Sequence, residues 1–388
     1  MAAAEDGQTV VLLSDIDHDG KSADITGDGK TVTLDLNGKT ITGGWISVGG
    51  YEQHTTSTLK IIGRGSFVLL NGSGDLTVWP GGTLDMTEWE GGTFTRVQIG
   101  DDAKVDEAIR KKTSLIVGEK AGTITELNIS NWQLSADDTA NMIDLSGGSY
   151  GQIRITGWNS NVISLGTLLS SGYAFNSSDG HELYDRTLAE SPDDIGDIYN
   201  VSVAKCLHTG FEALTADGKC PYCDTGDFVA LVETSDGVLT AYEDIYAADA
   251  KLKNGDTMTL LDNNAAGLSI YNDITLDLNG FYAGMVEIYA PVKLRNSKTT
   301  GGEIPSLSIG RADTVLGDLL ADGYSLKDNT GKWLSVSELL GTSAENITVA
   351  KTAVSAVSFL SYVDTLSYGS SAMLSISTGG ISCTYQWY

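Results

Sequence analysis

Between Thr31 and Gly38 the chain alternates: Val32, Leu34 and Leu36 are apolar, Thr33 and Asp35 are polar, and Asn37-Gly38 follows. A period of two predicts a half-buried strand, and Asn-Gly predicts the tight turn that ends it. Similar short apolar runs recur at residues 59–62, 76–78, 84–86, 115–117, 127–129, 143–145, 153–155 and 162–165, separated by turn residues, with no long helical stretch between them. Short strands at irregular spacing, without crossover helices, predict a solenoid in which each strand pairs with its counterpart one coil away.

Internal matches sharpen this picture. Residues 7–15 (GQTVVLLSD) resemble 255–263 (GDTMTLLDN), and 32–38 (VTLDLNG) match 274–280 (ITLDLNG) almost letter for letter. Residues 166–173 (GTLLSSGY) match 317–324 (GDLLADGY) in the same order, and both copies close on Val-Ala-Lys, at 203–205 and 349–351. The chain therefore holds two units, the first lengthened by inserted coils.

The expected fold is all-β, with two right-handed parallel β-helix segments. Residues 1–205 form the first, 206–226 a small knob, 227–351 the second, and 352–388 an incomplete immunoglobulin-like segment with Trp387 in the place of a core tryptophan. Residues 240–254 read as an amphipathic helix ending at Gly255, placed to cap the open end of the second segment. Ala2, Ala3 and Ala4 read as the stump of an equivalent helix.

Composition narrows the function. Forty-six glycines against five prolines suit many strands punctuated by turns. A formal charge of −27 repels phosphate backbones and anionic lipid, so nucleic acid is not an expected partner. No apolar run is long enough to span a bilayer, so membrane insertion is not expected. Residues 1–6 carry neither a charged nor an apolar leader region and residues 385–388 stop in mid-strand, so a larger parent protein is expected.

The strongest chemical signal is Cys206-Leu-His208 followed by Cys220-Pro-Tyr-Cys223 in a glycine-rich stretch with almost no apolar residues. Three thiols and one imidazole at this spacing offer a tetrahedral set for a structural zinc, and four protein ligands leave no open position for catalysis. A disulfide is the competing reading, favoured by an oxidising setting, although it leaves one thiol over.

Other constellations are weaker. Asp15, Asp17 and Asp19 before Gly20 resemble the opening of a calcium loop without its closing Glu. Asp35 and Asp277, expected on outward strand faces with Lys39 or Arg64 near the former, are the candidates for acid–base work, yet no paired-carboxylate or triad signature accompanies them. Trp132 and Trp158, extended by Trp79 and Trp89, are expected to form an exposed aromatic row suited to sugar rings or a protein partner.

The Leu-Asp-Leu-Asn-Gly coils, the Cys-x-His and Cys-x-x-Cys knob, and the trailing Tyr-Gln-Trp-Tyr strand together resemble repeat-rich surface proteins of Gram-positive gut bacteria. The resemblance spans nearly the whole chain and is architectural. It implies a secreted or cell-surface location and a non-enzymatic adhesin that binds a host glycoprotein, a glycan or an immunoglobulin, the last as the B-cell superantigens do. A polysaccharide-active β-helix enzyme, marked by a lateral cleft of carboxylates with a basic residue, and a bare structural spacer are the alternatives.

Overall fold

The computed structural model describes residues 1–388 except 2, 19, 71, 73, 101–104, 131–141, 157–164, 178–197, 311–318, 335–338, 340–342 and 352–388. The immunoglobulin-like segment, Trp132, Trp158 and Asp19 lie outside the described residues. So does most of the strand expected at 162–165, whose last residue, Leu165, begins a short 3-10 turn, Leu165–Leu168. The chain is predominantly β, with parallel sheets, and divides into two compact units. One holds Met1–Leu207 and Cys220–Thr225; the other holds His208–Lys219 and the chain from Gly226 onward.

In the first unit, Thr31–Asp35 pairs in parallel with Thr9–Val11 on one side and Thr58–Gly63 on the other. Thr83–Trp89, Ser114–Val117 and Ile143–Leu145 continue the same six-stranded sheet. The register puts like beside like. Val32 pairs with Leu59, Leu59 with Leu84, Leu84 with Leu115 and Leu115 with Ile143, all buried.

A second sheet builds two more such columns. One runs Ile46, Leu76, Val97, Leu127, Ile153, and the other Ile41, Phe67, Phe94, Ile124, Tyr150. These side chains form one continuous core. Each fully buried aliphatic side chain is worth roughly 1.5–3 kcal/mol of transfer free energy, so the columns dominate the stability of the unit.

The second unit repeats the arrangement with shorter rungs. Thr257–Leu260, Ile274–Asp277 and Val292–Arg295 pair in parallel, and so do Leu268–Ile270, Met285–Ile288 and Glu303–Ile309. The matched sequences occupy matched registers: Val10 pairs with Leu34 as Met258 pairs with Leu276. Paired positions lie 24 to 31 residues apart along the first sheet of the first unit and 18 to 21 apart in the parallel ladders of the second. Longer connections between paired strands and additional strands both contribute to the difference in length.

The turn after each Leu-Asp-Leu strand explains why that motif is written twice. Asn37 and Asn279 adopt left-handed backbone, φ 47° and 46°, a conformation Asn tolerates better than most residues. The Asp35 and Asp277 carboxylates accept the Asn37 and Asn279 backbone N–H, each at 2.8 Å. The Asn side chains then donate across the coil to Leu12 O and Leu260 O, each at 3.0 Å. Each aspartate therefore holds its own turn. Asp277 is buried, contrary to its expected outward position, because Arg295 on the next rung closes over it with Nε 2.7 Å from Oδ2.

Charge follows the same register. Arg96 stands between Asp75 on one neighbouring strand and Glu126 on the other, at 3.3 and 2.7 Å. Burial alone would raise the Glu126 carboxyl, but hydrogen bonds from Arg96 and Asn128 more than offset it and hold Glu126 below its usual range.

Both units end in antiparallel strands, which the expectation of uniform parallel coils did not include. Ile198–Lys205 runs antiparallel to Ser149–Thr156 and to Tyr173–Ser177; Ala344–Lys351 does the same against Glu303–Ile309 and Tyr324–Lys327. The third pair of sequence matches is this closure: Tyr173 pairs with Lys205 as Tyr324 pairs with Lys351.

The helix expected at 240–254 is mostly absent. Leu239–Tyr242 is a strand, because Ala230–Glu233 offers it a ladder partner and covers Thr257–Leu260 on its other edge. Only Ile245–Asp249 is helical, capped by the Asp244 carboxylate. Residues 3–7 at the N-terminus contain turns and no helix.

Two outcomes test this account. Asn37→Ala removes the cross-coil amide and leaves at positive φ a residue that tolerates that backbone less well than Asn, and should cost about 2 kcal/mol in urea denaturation. Asn37→Gly should recover about half of that, and equal stability of all three proteins would show that the turn is not coupled to the preceding coil. Because the Glu126 carboxyl is depressed in the folded chain, its contribution is complete above its ordinary value of 4.5 and is lost as pH falls through the folded value. Glu126→Gln should therefore show a shallower loss of stability on acidification than the parent, read as melting temperature against pH.

Candidate functional site

Cys206 follows directly on the closing strand Ile198–Lys205, and its N–H donates to Gly172 O at 2.9 Å. Cys220 and Cys223 sit in a tight turn: the Cys220 N–H donates to Thr225 O at 2.8 Å and the Asp224 N–H to Cys220 O at 2.9 Å. Asp224 and His208 both take positive φ, 61° and 52°. These backbone kinks bring side chains from a glycine-rich stretch to one point without a hydrophobic core. All three cysteines are buried.

The ligand atoms of Cys206, His208, Cys220 and Cys223 all lie within 4.8 Å of one another. The Cys206 and Cys220 sulfurs are 3.8 Å apart, nearly twice the roughly 2.05 Å of a disulfide. Two thiolates bound at about 2.3 Å to one tetrahedral ion stand about 3.8 Å apart, so the spacing fits a shared metal. His208 packs edge-on against Phe228, ring centroids 5.1 Å apart, and its Nε2 lies 3.9 Å from a Glu243 carboxylate oxygen. The four side chains could hold a metal ion, and the donor set is compatible with zinc. Among the described residues no other group of three or more His, Cys, Asp or Glu residues has this convergence.

The calcium expectation gains nothing from the structure. The Asp15 carboxylate accepts the Thr40 N–H at 2.9 Å across the coil, and Asp19 is outside the described residues.

The aromatic row is corrected in one member. Trp89 is fully buried, donates from Nε1 to Gly65 O at 3.0 Å and packs edge-on against Phe94. The pairing of Thr83–Trp89 with Thr58–Gly63 shifts register between Asp85 and Glu88. That bulge reverses the inward and outward parity, so a residue that strict alternation does not place inside turns into the core.

Trp79 is half-buried at a strand end and packs edge-on against Tyr51, ring centroids 4.8 Å apart. A β-carbon on Gly100, one rung further, would fall 2.8 Å from the Trp79 ring, so the ring lies over that glycine. The second unit has the same corner: Tyr271 stacks on Tyr289 at 4.9 Å and 6°, and Tyr289 lies over Gly310. The backbone agrees, since Trp79 N donates to Val48 O and Gly100 N to Val78 O as Tyr289 N donates to Ile270 O and Gly310 N to Ile288 O. Tyr51 and Tyr271 are 61% and 69% exposed, so each corner turns an aromatic ring to solvent. Sequence reading missed Tyr51, Tyr271 and Tyr289; the signal was a glycine one coil after an aromatic at the same strand end.

A cleft of about 450 Å³ in the first unit is lined by Asp35, Glu88, Glu90, Glu119 and Lys120. Lys120 already pairs with Glu90 at 3.1 Å, and Tyr173 donates its hydroxyl to Glu119. Among the described residues no helix is long and apolar enough to cross a membrane.

The metal centre is directly testable. Protein purified without chelator should carry one equivalent of zinc by elemental analysis, and Cys223→Ser should lose it. Because thiolate ligands must shed protons to bind, metal retention should fall as pH is lowered. Absence of metal in the parent protein would remove the site. No protein-family model matches the chain, and neither a curated protein nor a solved structure matches it.

Proposed function

We propose that this chain is a non-enzymatic binding module, built from two right-handed parallel β-helix segments, that is displayed outside the cell and engages a host macromolecule over a lateral face. The observation that carries this reading is the repeated aromatic corner, Tyr51 on Trp79 and Tyr271 on Tyr289. Exposed rings on a rigid ladder lose little conformational entropy on binding, and flat aromatics suit sugar faces and protein partners alike. A mucosal glycoprotein and an immunoglobulin are the two candidate ligands. A structural zinc held by Cys206, His208, Cys220 and Cys223 belongs to the same reading, since a loop segment this short of apolar residues needs a tie to stay folded.

The carboxylate cleft beside Lys120 favours a second reading, a polysaccharide-active enzyme. It is weaker, because Glu88, Glu90 and Glu119 are exposed and Lys120 is already paired, so nothing there encloses a sugar ring or excludes water.

Purified mucin and purified immunoglobulin should be tested as immobilised ligands. Tyr51→Ala with Tyr271→Ala should reduce binding at least tenfold while far-UV circular dichroism and melting temperature are kept. Unchanged binding by this variant would refute the aromatic-face reading. Release of shortened or unsaturated products from an acidic polysaccharide, lost in Glu88→Gln, would establish the enzyme instead.

A further inference from the structure

The second unit carries a cavity of about 570 Å³ at its closing strands, and its charged lining is not what the chain as a whole would supply. The protein has 51 acidic against 24 basic residues, yet three lysines, Lys298, Lys327 and Lys351, line this cavity with two acids, Glu303 and Asp328, Lys298 and Lys327 at its wall and Lys351 on the opposite strand face from Lys327. The Asp328 carboxylate is committed to its own turn, accepting the N–H groups of Thr330 and Lys332, each at 2.9 Å, and the Thr330 hydroxyl at 2.6 Å. Among the described residues none of the three lysines is in an ion pair. Two are steered by aromatics instead: Lys327 Nζ lies 4.1 Å over the Trp333 ring and Lys351 Nζ 5.9 Å over the Tyr324 ring.

The frame of the cavity is fixed by backbone constraints. Asn296 is buried; its side chain accepts the Gly280 N–H at 2.7 Å and donates to Gly301 O and Val349 O at 3.0 and 3.2 Å. One amide thus ties the loop bearing Lys298 to the preceding coil and to the closing strand. Gly301 and Gly302 make the fit possible, since a β-carbon on them would stand 1.9 Å from Gly280 O and 2.4 Å from the Asn296 side chain. The antiparallel register then sets Thr348 between Glu303 and Lys327.

The first unit supplies an internal comparison. Its closing strands have the same register, with Phe175 opposite Val203 as Leu326 is opposite Val349. At the next pair it has Asn176 opposite Ser202 where the second unit has Lys327 opposite Thr348. The frame alone does not require a lysine there.

We propose that this cavity is a binding site for an acidic glycan, its carboxylate or sulfate held by Lys298 and Lys327 and its hydroxyls by Asn329, Asn346 and Thr348, with Tyr282 as an apolar wall. Charge-assisted hydrogen bonds are the strong ones available at such a surface. At physiological salt, screening acts over about 8 Å, so the distant negative charge of the chain counts for little at the cavity and the balance is set locally, by the lysines against Glu303 and Asp328. The proposal rests on the reading of this protein as a module that binds glycoproteins, and it names the chemistry that one face would select.

The test titrates the full chain with sialyllactose and with lactose, its neutral counterpart, by calorimetry. Sialyllactose should bind saturably and lactose at least tenfold more weakly. Lys298→Gln and Lys327→Gln should each weaken sialyllactose by about tenfold, the loss expected for one charge-assisted bond. Glu303→Gln should strengthen it. Lys327→Arg keeps both the charge and the packing on Trp333, so it should retain binding even if Lys327→Gln folds poorly.

Equal affinity for lactose, indifference to the lysine substitutions, no binding at all, or full displacement by an equal concentration of sodium sulfate would each overturn the assignment. Mucin capture that survives the Lys298→Gln, Lys327→Gln double variant would also sink this site while leaving the binding-module reading intact. Sialyllactose binding without mucin capture would do the reverse.

Discussion

The constraint on which the rest depends is the register of the parallel ladders. Neighbouring strands in a sheet lie about 4.8 Å apart, so every position in one coil sits against its counterpart in the next, and whatever occupies it is set beside its own kind. Apolar residues become columns, as Val32, Leu59, Leu84, Leu115 and Ile143 do. Like charges at such a spacing repel, and the described ladder accordingly alternates sign, with Arg96 between Asp75 and Glu126 and Lys60 beside Asp85. Turns stack as closely as strands. A β-carbon on Gly92 would meet Gly65 O at 2.0 Å and one on Gly122 would meet Gly92 O at 2.3 Å, so glycine recurs down the column because no side chain fits between the coils.

Much of this was legible in the sequence for a physical reason. A half-buried strand writes its parity into the residues, and the Asn-Gly turn writes its backbone requirement, so the Leu-Asp-Leu-Asn-Gly element was readable twice. Strand direction is not written in the same way. The alternation of Ile198–Lys205 would look alike in a parallel or an antiparallel neighbour, and only the pairing of Tyr173 with Lys205 reveals a closing strand. A ladder partner also decided the fate of Leu239–Tyr242, whose helix-compatible pattern gave way to the strand beside it. At Trp89 the bulge between Asp85 and Glu88 inverted the parity, and at Asp277 a single neighbour, Arg295, turned a surface carboxylate into a buried one.

The candidate sites divide along the same line. The four metal-ligand candidates were visible because they fall within one short stretch whose spacing is the signal, and local turns suffice to bring them together. Trp79 was visible as an aromatic, but its role was not, since the glycine beneath it is one coil away and the matching pair, Tyr271 and Tyr289, has different residues in the same register. Lys298, Lys327 and Lys351 come from three separate segments with no shared motif. Only the antiparallel closure carries them to one cavity, so no window along the chain contains the pattern.

A ladder of this kind separates what stabilises the protein from what it presents. The inward column fixes volume and register, and an inward change disturbs the packing of the rungs above and below it. An outward position touches water and its two lateral neighbours, so it accepts substitution at little cost. The two closing frames illustrate this. Val203 and Val349 occupy the same buried place, while the outward pair beside them is Asn176 with Ser202 in one unit and Lys327 with Thr348 in the other. Any chemistry that distinguishes the units must therefore be sought on outward faces and at the closing strands, where repeated backbone meets residues that do not repeat. In a chain with 27 more acidic than basic residues, a cavity lined by three lysines that make no ion pair among the described residues is a departure that the fold itself does not demand.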